Sequence, residues 1–125
     1  GGRRNRAVVR GSECVMILRT PFYEYPIVFM TKDDPDWKPD VPEGQDASAY
    51  TNFNDELIVI RSDQTAAMQA DALLHEMMHV CGLLGGLAEN SKYTEEEYVC
   101  IITAGLKQII TQDNDEVWAY LGVNL

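Results

Sequence analysis

A chain of 125 residues, 46% hydrophobic and 24% charged, has the material for one domain around one core, and a second domain is not expected. Twenty acidic against ten basic side chains give a net charge of −10, which argues against a general nucleic-acid-binding surface. Three cysteines, Cys14, Cys81 and Cys100, are widely spaced without a CxxC pair; they exclude a disulfide scaffold and read as small core thiols in a reducing compartment.

Arg3, Arg4, Arg6 and Arg10 fall in the first ten positions. Residues 1–12 are therefore expected to be a basic, flexible, solvated end, with a single domain over 13–125. No stretch is long and apolar enough to span a bilayer, and the opening residues lack the apolar core of a signal peptide. A soluble, cytoplasmic protein without membrane contact is expected.

Residues 14–30 are rich in β-branched and aromatic side chains and are interrupted by Pro21 and Pro26. They predict two strands, near 13–19 and 26–30, paired across the Thr20–Tyr25 turn, with the prolines at strand ends or edges. From Thr31 to Asn54, acids, prolines and Gly44 predict a long irregular segment with Trp37 and Tyr50 as anchors. Such a segment either borders a site or is loosely held, and the sequence leaves both open. Glu56 to Ile60 predicts a buried strand; whether it is an exposed edge, where a peptide could add as a further strand, is open too. Ser62 or Asp63 is the expected N-cap of the helix that follows.

That helix carries Leu73-Leu74-His75-Glu76-Met77-Met78-His79-Val80, a His-Glu-x-x-His motif in a run of helix formers that is apolar on nearly every side. The only two histidines of the chain stand four apart, so both imidazoles leave one helix face and can reach one zinc ion. Glu76, about 100° round the helix, is placed to act as general base on a zinc-bound water without being a ligand. A half-buried histidine pair with a surface glutamate is the bland alternative. Gly82 matches the glycine of the longer HExxHxxGxxH pattern, but Gly85 stands where that pattern needs its third ligand. The third ligand must come from elsewhere, and Gly85-Gly86 is expected to end the helix with a left-handed cap.

A second helix is predicted from about Thr94 to Thr111, capped by Thr94 or Ser91, with Glu95, Glu96 and Glu97 in its first turn. Tyr98, Val99, Ile102, Leu106, Ile109 and Ile110 define its apolar face. Counting back at about 100° per residue puts Glu95 near the centre of that face, making it the preferred third zinc ligand with Glu96 in reserve. Asp113-Asn114-Asp115 predicts a helix break with a capping Asp or Asn, then a short helix docking Val117, Trp118 and Leu121. Tyr50, Tyr93 and Tyr98 are open as oxyanion donors, and Asp71, one turn before His75, as a partner for a ligand imidazole.

Over residues 55–121, an Ile-Val-Ile strand, Leu-Leu-His-Glu-x-x-His, the clustered glutamates and Asp113 to Leu121 resemble the small zincin-like metallopeptidases encoded by bacteriophages and prophages. The chain is more distantly similar to the ImmA/IrrE-type metallopeptidases, in which a glutamate on the helix after HExxH completes the zinc site. The resemblance implies an α+β, zincin-like fold: a small antiparallel sheet on the HExxH helix, with a second core helix. It implies a zinc endopeptidase of gluzincin type acting on a protein or peptide in the host cytoplasm. The other reading is a zinc-bound but catalytically silent domain serving as a phage structural or interaction module; a purely structural site would need no Glu76. Substrate and oligomeric state are not legible.

Overall fold

The chain was described from a computed structural model, which covers residues 14–42 and 44–125. The basic end at 1–12, with its four arginines, lies outside the described residues. The architecture is α+β, four strands forming one sheet and three helices following them: β1 (Cys14–Arg19), β2 (Glu24–Met30), β3 (Ala49–Asn52), β4 (Leu57–Arg61), α1 (Ala66–Gly85), α2 (Glu95–Ile110) and α3 (Asp115–Asn124).

β1 and β2 form the expected hairpin, closed by the Thr20 N–H on the Tyr23 carbonyl (2.9 Å) and the Tyr23 N–H on the Thr20 hydroxyl (2.9 Å). Pro26 lies within β2, not at its end. It is tolerated because pairing with β4 begins only at Ile27, so its missing N–H breaks no bond on that side. The sheet is mixed, not antiparallel as expected: its order is β1-β2-β4-β3, and β2 and β4 run parallel. The 31–56 connection carries the chain past β4, lays β3 on the far side and returns, so β4 enters in the direction of β2. Central strands in such a sheet bury both faces, and the sequences comply. Tyr25, Ile27, Ile58 and Ile60 face the helices, while Val28, Met30 and Val59 face the opposite way, where Trp37, Tyr50 and Leu57 cover them.

β3 falls inside the stretch expected to be irregular. Four residues, Ala-Tyr-Thr-Asn, carry too little apolar alternation to announce a strand, and pairing to β4 supplies the order. The question left open about the Ile-Val-Ile strand is thereby decided: β4 is internal, and β3 is the outer strand.

Thr65, not Ser62 or Asp63, caps α1, its hydroxyl accepting from the Met68 N–H (3.2 Å). Ser62 donates its N–H to the Met30 carbonyl (2.8 Å), and Asp63 pairs with Arg61 (2.6 Å), so both belong to the strand end. α1 stops as expected at Gly86, with φ of +89°. α2 opens with a capping box in which the Thr94 hydroxyl accepts the Glu97 N–H (3.1 Å) and the Glu97 carboxylate accepts the Thr94 N–H (2.8 Å). The bonds from Thr94 hold the Glu97 carboxyl below the usual carboxylate range.

α1 and α2 pack antiparallel, backbone against backbone. A Cβ built at Gly85 would overlap the Ile101 carbonyl, and one at Gly105 would overlap the Cys81 carbonyl. The contact stripe of α2 therefore passes through Ile101, Gly105 and Ile109. Tyr98, Val99 and Ile110, expected on the buried face, are exposed. A face drawn through large apolar residues misses a contact centred on a glycine. Cys81 is buried as expected, its thiol pushed up to about 11 by burial, whereas Cys100 is exposed and not a core thiol. Asn114 begins α3 without capping it through its side chain. Instead its side chain accepts the Arg19 N–H (2.6 Å) and donates to the Arg19 and Ile109 carbonyls (2.9 Å each), tying β1 to the α2–α3 turn.

Candidate metal centre

α1 is not buried on every side. Its exposed residues Met68, Asp71, His75 and His79 recur at three- and four-residue spacing and form one open stripe. That stripe floors a cleft of about 1170 Å³, walled on one side by β3 and its flanks and bordered by Glu89 of the α1–α2 loop. The polar triplet of the motif thus has its reason: the histidines face the cleft while Leu73, Met77 and Val80 of the same helix face the core.

The imidazoles converge, with His75 Nε2 and His79 Nε2 3.2 Å apart. Two nitrogens each about 2.05 Å from one tetrahedral zinc ion would lie roughly 3.3 Å apart, so the pair fits a shared ion. An N–H···N hydrogen bond accounts for the same distance when one ring carries its proton at Nε2. Glu76, at 7% relative exposure, sits round the helix beneath β3, and its Oε1 accepts a hydrogen bond from the Thr51 hydroxyl at 2.8 Å. Strand alternation explains the contact: Tyr50 points to the far face of the sheet, so Thr51 points to α1.

Glu95 and Glu96 are not brought to the histidines. Both are exposed in the first turn of α2 and do not line the cleft. Because Ile101 lies over Gly85, that turn extends past the end of α1, away from His79. Six residues from Glu95 to Ile101 and six from His79 to Gly85 amount to roughly 18 Å of helix rise. Glu96 accepts a weak bond from the Cys100 thiol (3.7 Å). Among the described residues, no group of three His, Cys, Asp or Glu stands close enough to hold a metal as the side chains are placed.

Asp71 lines the cleft but makes no hydrogen bond to His75. Tyr50 is committed elsewhere: its hydroxyl accepts the Lys38 N–H (3.1 Å) and donates to the Asp36 carbonyl (3.2 Å), and burial raises its pKa. Tyr93 receives the Ala88 N–H (3.0 Å) and meets Tyr98 edge to face; neither lines the cleft. Sequence reasoning missed Thr51 and Glu89. Thr51 carried no signal, lying in a stretch read as irregular, and Glu89 is placed only by the direction the chain takes after Gly86.

No protein family, curated protein or solved structure matches the chain.

Proposed function

We propose that the protein is a zinc-dependent metallopeptidase of zincin-like build, hydrolysing a peptide bond of a protein or peptide substrate. The observation that carries this reading is the convergence of the two Nε2 atoms at 3.2 Å beside a buried carboxylate held by Thr51. The resemblance of residues 55–121 to phage-encoded zincin-like peptidases points the same way.

His75 and His79 would hold the ion through Nε2. The chemistry that zinc supplies when bound is Lewis acidity toward water and toward a carbonyl oxygen. With Oε1 of Glu76 engaged by Thr51, Oε2 is the atom that takes a proton from the attacking water and returns it to the leaving amine nitrogen as the C–N bond breaks. β3, the outer strand, adjoins the cleft, and an extended peptide pairing along it would present its backbone carbonyls to the histidine stripe.

The test uses protein purified without chelator. About one zinc per chain is expected, lost in His75→Ala and His79→Ala. With a degenerate peptide library read by mass spectrometry, new N-termini are expected from the parent and not from Glu76→Gln at equal zinc content. Zinc without cleavage in either protein supports the silent binding module, and no zinc uptake at neutral pH removes the peptidase reading.

A further inference from the structure

We infer that Glu89, in the loop between α1 and α2, supplies the third protein ligand to the metal held by His75 and His79; this rests on the zinc reading above. An ion shared by the two Nε2 atoms lies level with the turn from residue 75 to 79, in the cleft. Four acids line that cleft: Asp40, Asp71, Glu76 and Glu89. Glu76 is tied to Thr51. Asp71 stands six residues before the middle of the pair, roughly 9 Å of rise along the same helix and too far for its short side chain. Asp40 follows Lys38, whose N–H is fastened to Tyr50 on the face of the sheet turned away from α1.

Glu89 is different because its backbone is folded back along α1. Gly86 turns the chain through its left-handed conformation, and the Leu87 N–H then donates to the Gly82 carbonyl (2.8 Å). The Leu87 side chain packs at Gly82, 3.3 Å from where a Cβ would stand there. Gly82 is three residues, roughly 4.5 Å of rise, beyond His79. The Ala88 N–H is pinned on the Tyr93 hydroxyl (3.0 Å), and Tyr93 meets Tyr98 of α2 edge to face with centroids 5.2 Å apart. The exposed Glu89 carboxylate therefore hangs from an anchored backbone on the border of the histidine cleft, and closing the site requires its side chain to turn toward the histidines, with which it forms no ligand cluster as placed. Two imidazoles, one carboxylate and an open position make a donor set that suits zinc and leaves room for water.

The experiment is the equilibrium zinc affinity of the full chain, measured by competition with a fluorescent chelator, for the parent and for Glu89→Gln, Glu95→Gln, Glu96→Gln, Asp71→Asn and Asp40→Asn. Thermal melts of the metal-free proteins accompany it. Glu89→Gln is expected to melt with the parent, being exposed, and to lose at least about tenfold in zinc affinity, since even outer-shell partners of zinc ligands are worth that much. The other four are expected to bind within a few-fold of the parent. Parent-like affinity in Glu89→Gln, or a loss confined to any of the other four, overturns the assignment and leaves the zinc reading standing. A parent that binds no zinc overturns both.

Discussion

Glu76 is buried while the two histidines beside it are open, and Thr51 is what makes that burial tolerable. A carboxylate at 7% exposure needs a donor, and the Thr51 hydroxyl at 2.8 Å provides one while leaving the second oxygen to the cleft. Thr51→Val keeps the shape and removes the donor. On a peptide cleaved by the parent, it is expected to lower kcat by roughly tenfold, about the worth of one hydrogen bond to a charged group, with KM and zinc content little changed. Thr51→Ser restores the donor and is expected to recover most of the rate. A fall in KM-dependent terms alone, or no recovery with serine, would show that Thr51 merely packs. Neither partner's role was equally visible beforehand: Glu76 is announced by its motif, and Thr51 by nothing within its own segment.

At the scale of elements, the hinge of the structure is the contact between α1 and α2. Gly85 and Gly105 let two backbones meet where any side chain would collide with a carbonyl, and Gly82 makes room for Leu87 as the loop folds back. Each therefore determines where the α1–α2 loop runs, and so where Glu89 hangs. Gly105→Ala is expected to destabilise the fold by about 2–3 kcal/mol, the usual cost of overpacking a tight contact, measured by urea denaturation. Gly122→Ala, with open space around the glycine, is the control and is expected to stay within about 0.5 kcal/mol of the parent or gain slightly from helix propensity. Equal effects at the two positions would mean that the helices are not held at this distance in solution. The sequence shows these glycines only as weak helix residues; that two of them face a neighbouring backbone is a fact about packing.

For the whole molecule, the core and the histidine stripe are separate. The buried cluster runs from Leu18, Ile27 and Ile58 through Leu73, Met77 and Val80 to Ile109 and Val117, and neither histidine belongs to it. The metal-free protein is therefore expected to be folded, with a cooperative melt. Zinc at about 100 times its Kd is expected to add roughly 2.7 kcal/mol, a rise of about 10 °C in Tm for a chain of this size. His79→Ala should melt close to the metal-free parent and show no rise. Unfolding of the parent by chelator alone would mean instead that the metal is structural. Among the described residues, no helix is long and apolar enough to cross a membrane.

The sequence by itself determined what is periodic or chemically marked. It determined the hairpin strands, the Ile-Val-Ile strand, three helices to within a few residues, the Gly86 stop and the two histidines with Glu76 on one turn, while the choice of Thr94 over Ser91 as the α2 cap came from the structure. Helix geometry is local, so a four-residue spacing places two imidazoles together wherever the helix lies. What only the tertiary structure decided depends on which distant backbone lies alongside: the parallel pairing of β2 with β4, β3 as the outer strand, the donor to Glu76, and the course of the loop carrying Glu89. The contrast is clearest in the choice of acid. Helical phase is fixed by sequence, but the place of Glu95 relative to His79 is fixed by how far α2 runs past α1, and that distance is set where Gly85 meets Ile101.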